Sequence, residues 1–276
     1  MDNQNFFQNL TVSERDFEKM VQFIQKNYGI DLSKKKQLIA SRLSHPLKAQ
    51  GYSSFSQFLD HLLTKKDPAD IELVINKLTT NYTFFMREKE HFTYFQSKIL
   101  PELTAIHQRE RSLAIWSAGC SSGEEPYTLS IYLKDYFGAQ ASSWDTRILA
   151  TDISQQALSK AKAGIYHQPA DMPSAWLSRY FTQQGTSENY AVTPEIKNNV
   201  IFQTFNLMDP ICFRRKFDVI FCRNVMIYFN QETRDALVRR FYDALAPHGY
   251  FFISHSESLG QNPLFRMVAP AIYQKR

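Results

Sequence analysis

Residues 113–137 read LAIWSAGCSSGEEPYTLSIYLKDYF, and the reading of this stretch decides the fold. The apolar run Leu113–Trp116 is short and uninterrupted, as in a strand buried on both faces, and Thr128–Phe137 places apolar side chains at helical spacing. The segment between them is therefore a strand-to-helix turn. Such turns commonly cradle phosphate on the first backbone N–H groups of the helix. This one has glycine only at Gly119 and Gly123, and it carries Glu124 and Glu125 where a phosphate needs positive potential.

Downstream, apolar strands alternate with helices. Strands are predicted at TRILATDI (146–153), NVIFQTFNL (199–207), FDVIFCRNVMIYF (217–229), GYFFISHSES (249–258) and FRMVAPAIYQK (265–275), and helices at SQQALSKAKAG (154–164) and NQETRDALVRRFYDAL (230–245). Near-continuous apolar strands separated by helices imply a mostly parallel sheet covered on both faces. The interval 165–200 is too long for a simple connection and includes the alternating ENYAVTP, so it is predicted to hold a small antiparallel insertion. Upstream, residues 1–90 read as helices. TVSERDFEKMVQFIQKNYG (11–29) sets Phe17, Met20, Val21 and Ile24 on one face, with Ser13 as cap and Gly29 as stop. SKKKQLIASRLSHPLKAQG (33–51) follows, with Pro46 expected to kink or end it. SSFSQFLDHLLTKK (53–66) and PADIELVINKLTT (68–80) complete the set. The domains expected are 1–90 and 91–276.

Bulk properties narrow the class. With 276 residues and 43% hydrophobic content the chain fills a proper core. No apolar run approaches the roughly 20 residues that span a bilayer, and the N-terminus lacks a basic-then-apolar leader, so a cytoplasmic protein is expected, without direct membrane insertion. Cys120, Cys212 and Cys222 form no CxxC pair and are read as small buried residues, against structural zinc. The net charge of +5 modestly favours an anionic partner. Between Asp31 and Asp60 no acid occurs, while Lys34, Lys35, Lys36, Arg42 and Lys48 do. They form a basic face, suited to an acidic partner or to solvent.

In an open parallel sheet the ligand sits beyond the carboxyl ends of the strands. The first strand delivers the Gly119–Glu125 loop. The second ends at Asp152, an acid suited to both hydroxyls of a ribose, since Ser154 already offers the cap for the next helix. The third offers Asn206, and the fourth Arg223, Asn224 and Tyr228. There is an acid for a ribose, but no P-loop lysine and no complete GxGxxG. This set suits a cationic nucleoside without phosphates, S-adenosylmethionine, whose sulfonium and ammonium groups an acidic loop tolerates. Competing readings are a capping box from Ser122 to Glu125 and turn caps at Asn206 and Asn224. The aromatics of FFQNL, FSQF and FRMV are read as core.

Together NYTFFMRE (81–88), SAGCSSGEEPYTLSIYL, ATDIS, FNLMD and FDVIFCRNVMIYF closely resemble the bacterial chemotaxis receptor glutamate O-methyltransferases of the CheR family, from about Phe17 to the C-terminus. The resemblance implies an all-α N-terminal receptor-recognition domain. It further implies an α/β, Rossmann-like S-adenosylmethionine-dependent methyltransferase domain with a small antiparallel β insertion. Cofactor contacts would fall on Asn81, Thr83, Arg87, Glu125, Asp152, Asn206, Leu207, Arg223 and Asn224, with Arg87 and Tyr228 at the transfer itself and no metal. By their residues alone, Asn81, Thr83 and Arg87 would pass as part of an aromatic hinge. The partners implied are the cytoplasmic domains of methyl-accepting chemotaxis receptors, met through Lys34, Lys35, Lys36, Arg42 and Lys48, and not nucleic acid. The loop TQQGTSENYAV (182–192) is shorter than in members that grip a receptor C-terminal peptide, which implies a form without that tether. A nucleic-acid amino-methyltransferase would instead carry paired prolines where this chain has RNVMIY. A binding module that had lost its cofactor would show an eroded site.

Overall fold

The computed structural model of the protein describes residues 10–169 and 171–276. Phe6 and Phe7, read above as core aromatics, lie outside the described residues. Two compact units make up the chain: residues up to Thr80 together with Tyr228–Thr233, and Asn81–Ile227 together with Arg234–Arg276. The division falls before residues 81–90 rather than after them. Phe85 and Met86 are buried in the same core as Phe92 and Phe95, and this burial draws the segment into the second unit.

The first unit is helical. Helix α1 (Glu14–Tyr28) begins where the Ser13 hydroxyl accepts the Asp16 N–H at 3.1 Å, and stops at Gly29, whose φ of 71° is the left-handed conformation that glycine adopts without strain. Helices α2 (Lys36–Ala49), α3 (Phe55–Lys65) and α4 (Pro68–Leu78) follow. Ser54 caps α3, and Asp67 caps α4 just ahead of Pro68. Met20, Ile39, Leu43, Phe58, Leu62 and Val74 are fully buried. Pro46 does not end α2, which runs on to Ala49. Lying in the last turn, it forfeits a single i→i−4 bond, and its carbonyl still accepts the Gln50 N–H at 3.1 Å.

In the second unit α5 (Lys89–Tyr94) runs through a wide turn at Phe95–Ile99 into α6 (Leu100–Ile106). There follow β1 (Ile115–Ala118), α7 (Glu124–Phe137), β2 (Ile148–Asp152), α8 (Gln155–Ala163), β3 (Ile165–His167), α9 (Ser174–Tyr180), β4 (Phe181–Gln183), β5 (Asn189–Val192) and α10 (Pro194–Lys197). The unit closes with β6 (Val200–Thr204), β7 (Phe217–Phe221), α11 (Gln231–Ala244, whose first turn is counted with the other unit), β8 (Leu245–Phe252), β9 (Phe265–Ala269) and β10 (Ile272–Lys275). The large sheet has the order β6-β2-β1-β7-β8-β10-β9. Its first five strands are parallel neighbours, and β10 pairs antiparallel with β8 and β9.

The alternation of strand side chains fills both faces of this sheet. Phe252 stacks on Phe221 at 4.2 Å, with Phe95 edge-on to both, while its neighbour Phe251 meets Phe241 of α11 on the opposite side. The insertion is the antiparallel sheet β3-β5-β4, within the expected interval.

Three local expectations are corrected. The stretch 265–275 is two strands, because Ala271 turns the chain at φ 58°. The strands at 217 and 249 end at Phe221 and Phe252, so the polar residues after them belong to loops. Cys120 and Cys222 are buried, but Cys212 is exposed.

Candidate functional site

The strand order puts the carboxyl ends of β6, β2, β1 and β7 side by side, so the four loops singled out from sequence share one edge of the sheet. The loop after β1 is tightly fitted. A Cβ on Gly119, which has φ +83°, would stand 2.3 Å from Val225 Cγ2 in the loop after β7. A Cβ on Gly123 would stand 2.8 Å from Ala161 Cβ. Neither position has room for a side chain, which is why glycine recurs there without a phosphate to serve.

Asp152 ends β2 nearly buried, with 9% exposure. Its Oδ2 accepts the Ser121 N–H at 2.8 Å and its Oδ1 the Ser154 N–H at 2.9 Å, so the carboxylate is oriented by backbone from two loops. Ser154 caps α8 by accepting the Ala157 N–H, which leaves Asp152 outside that role.

The capping-box reading of Ser122–Glu125 does not hold. Helix α7 begins at Glu124 behind Gly123, which has no side chain to cap it, and Glu125 turns away from that start. Glu125 Oε1 accepts the Ser117 hydroxyl at 2.7 Å, and Oε2 accepts Arg223 Nη1 at 2.9 Å. Glu124 is the buried acid of the pair. It accepts the Ser122 hydroxyl at 2.8 Å, and burial raises its pKa above the ordinary carboxylate value.

Arg223 is the centre of charge. Besides Glu125 it meets Glu88 at 3.2 Å, donates to the Arg87 carbonyl and lies 5.2 Å over the Phe92 ring. Its Nε is buried without a hydrogen-bond partner. Burial works to raise the Glu88 pKa, but Arg223 and the Ser254 hydroxyl hold it below the ordinary value. Glu88, His91 and His255 bring ligand-type atoms within 4.8 Å of one another. Arg223 lies against Glu88, and burial with Arg223 nearby pushes the His91 pKa down to about 3.

The segment before α5 is conformationally loaded. Met86 and Glu88 bracket Arg87 at φ 62° and 56°, and Ser121 and Asn224 are also left-handed, at 49° and 60°. Side-chain-bearing residues hold such angles only where their surroundings over-determine them. The Ser121 hydroxyl donates to the Asn81 carbonyl at 2.8 Å, linking this segment to the acidic loop. Thr83 is half-buried, and Arg87 donates to the Tyr82 carbonyl at 2.9 Å while lying over the Phe84 ring.

The remaining candidates are placed as follows. Asn206 accepts the Met208 N–H at 3.0 Å, as the turn-cap reading expected, and Leu207 beside it is buried. Asn224 instead donates its side-chain amide to Ser254 Oγ at 2.7 Å. Tyr228 is counted with the first unit, where its hydroxyl donates to the Thr80 carbonyl at 3.3 Å. In that unit Lys34 and Lys35 are exposed, Lys48 is half-buried and Lys36 pairs with Glu14. Arg42 reaches the Lys77 and Thr79 carbonyls at 3.1 and 3.4 Å.

Sequence reasoning missed Glu88, His91, Tyr166 and Glu257. Tyr166, from the insertion, donates to the Ser122 carbonyl at 2.7 Å and so holds the acidic loop from outside the parallel sheet. Glu257 follows β8, and asking what that strand delivers at its end would have found it. No comparable signal marks Tyr166, whose contact is made by tertiary folding alone.

Two family descriptions match the chain: "CheR methyltransferase, SAM binding domain" over residues 81–273 and "CheR methyltransferase, all-alpha domain" over residues 15–79. The chemotaxis protein methyltransferase of Borreliella burgdorferi is 40% identical over 282 residues, covering 99% of each chain. Chemotaxis protein methyltransferase 1 of Pseudomonas aeruginosa is 36% identical, covering 92% of this chain and 94% of its own. The Escherichia coli chemotaxis protein methyltransferase is also 36% identical, covering 90% and 86%. The chain thus belongs to the CheR methyltransferase family, and residues 81–273 are its S-adenosylmethionine-binding domain.

Proposed function

We propose that the protein methylates glutamate side chains on the cytoplasmic domains of chemotaxis receptors, giving glutamyl methyl esters and S-adenosylhomocysteine, and that it acts from the cytoplasm. The observation that carries the reading is the buried, backbone-oriented Asp152 carboxylate beside the acidic Gly119–Glu125 turn. The names of the three relatives support the choice of chemotaxis. None of the described helices is long and apolar enough to cross a membrane.

The donor set fits S-adenosylmethionine. A carboxylate has about four acceptor sites, so Asp152 can hold both loop N–H groups and still meet ribose hydroxyls. The unpartnered Nε of Arg223 is a buried donor suited to the carboxylate of the amino-acid end. Asn81, Thr83, Arg87, Glu125, Asn206, Leu207 and Asn224 complete the proposed contacts. When bound, the cofactor would supply a methyl group on a sulfonium, the new O–C bond to the glutamate oxygen forming as the C–S bond breaks and its electron pair returns to sulfur.

A glutamate carboxyl, with a reference pKa of about 4.3, is already ionised at neutral pH, so the reaction as read needs neither general base nor metal. The work left to the chain is orientation and exclusion of water. Arg87 is proposed to align the acceptor carboxylate with its planar fork, and the Tyr228 hydroxyl to orient the attacking oxygen without protonating it. The exposed Lys34 and Lys35, with Lys36, Arg42 and Lys48, are proposed to meet acidic receptor helices.

Incubation with methyl-labelled S-adenosylmethionine and membranes carrying the organism's own receptors tests the reading. Label should enter receptor protein and become volatile in mild alkali, because methyl esters release methanol and methylated amines do not. Base-stable label, or label in nucleic acid, would overturn it.

A further inference from the structure

The carboxylate of Glu257 lies in the loop after β8 and is only 8% exposed. Its Oε2 accepts the N–H groups of Asn224 at 3.1 Å and Ser254 at 2.8 Å, and its Oε1 accepts that of Ile227 at 3.1 Å. One side chain thus ties together the loops that follow the parallel neighbours β7 and β8. A buried carboxylate is costly unless donors surround it, and here every donor is a backbone group whose position fixes the course of a loop. The bond to Asn224 holds that residue in its left-handed conformation, φ 60°. The bond to Ile227 fixes the start of the tight turn Met226–Tyr228. Between the two lies Val225, the residue that leaves no room for a Cβ on Gly119. A second tie runs from Glu88, which accepts from Ser254 Oγ at 3.0 Å and His255 N at 3.3 Å.

We propose that Glu257 is a positioning residue for methyl transfer, holding the Arg223–Ile227 loop so that Asn224 meets the cofactor and the turn carrying Tyr228 begins in register. The proposal rests on the function proposed above. Glu257 acts only through backbone and need touch neither cofactor nor receptor.

Two variants of the full chain separate its parts. In Glu257→Gln the amide oxygen is best placed where Oε2 stands, with two donors, which turns the NH2 group onto the Ile227 N–H. The turn is then released while Asn224 stays held. Turnover should fall by about tenfold or more, with the affinity for S-adenosylhomocysteine kept within about threefold and the melting temperature lowered by about 3–12 °C, the cost of one buried hydrogen bond to a charged group. Glu257→Ala releases all three donors, so affinity should also weaken by about tenfold or more. Wild-type turnover in Glu257→Gln overturns the proposal. So does a fall in turnover no larger than the fall in folded fraction measured by circular dichroism. The affinity of Glu257→Ala needs no receptor. Should the wild-type protein bind S-adenosylhomocysteine but methylate no receptor, that arm still decides whether Glu257 sets the loop, and wild-type affinity there overturns the proposal as well.

Discussion

Replacing Asp152 by Asn separates its two duties, because the variant keeps the shape of the side chain and removes one acceptor. The carboxylate holds Ser121 N with one oxygen and Ser154 N with the other, at 2.8 and 2.9 Å. An amide has a single oxygen, so whichever way it turns, an NH2 group faces a backbone N–H and that donor loses its partner. A hydrogen bond to a charged group contributes about 1.5–3 kcal/mol, and Asp152 is only 9% exposed, so water does little to replace it. For a unit of this size about 2–4 °C of melting temperature accompanies each kcal/mol, which gives an expected drop of about 3–12 °C in calorimetry. The ribose would lose a charged acceptor by the same substitution. Affinity for S-adenosylhomocysteine in titration calorimetry should therefore weaken by roughly ten- to a hundredfold. A lowered melting temperature with wild-type affinity would refute the cofactor role and leave Asp152 as a loop clamp. Unchanged values in both assays would refute the hydrogen-bond argument itself.

The start of α2 offers a test in which stability and activity move in opposite directions. Lys35 occupies the cap position without a side-chain cap, and the first turn holds no acid, an arrangement unfavourable to the helix dipole. Lys35→Asp should stabilise the chain by about 1 kcal/mol in urea denaturation while raising the KM for receptor. A stabilised variant with unaltered KM at low salt would remove Lys35 from receptor docking. His91 supplies a pH dependence: its folded pKa, about 3, lies below the ordinary 6.5, so the unfolded chain binds the extra proton between these values. Stability from this group is complete above pH 6.5 and is lost as pH falls towards 3, by about 1.4 kcal/mol per unit, or roughly 2 kcal/mol at pH 5. His91→Phe should flatten that acid limb in urea denaturation at pH 7 and pH 5, and an unchanged slope would assign the limb to other groups.

Local chemistry made most of the scaffold readable from sequence. Apolar runs of strand length, helical spacing and the caps at Ser13, Gly29 and Ser154 act within a few residues of one another, so they determine an element wherever it sits in space. Asp152 was legible for the same reason: a strand's last residue is a local fact, and the parallel sheet sends all such ends to one edge. What tertiary structure decided is the partner of each side chain. Glu125 could cap its own helix or reach elsewhere, and it turns to Arg223, 98 residues away, because that guanidinium is buried beside it. Likewise Pro46 stays inside a helix whose buried Leu43 and Leu47 hold it in the core, and Arg42 bends towards the end of α4. Glu257 reads as one acid in a polar loop until folding brings Asn224 and Ile227 within hydrogen-bond reach. Periodicity carries no information about such pairs, since their energy comes from desolvation and geometry that exist only once distant segments have met.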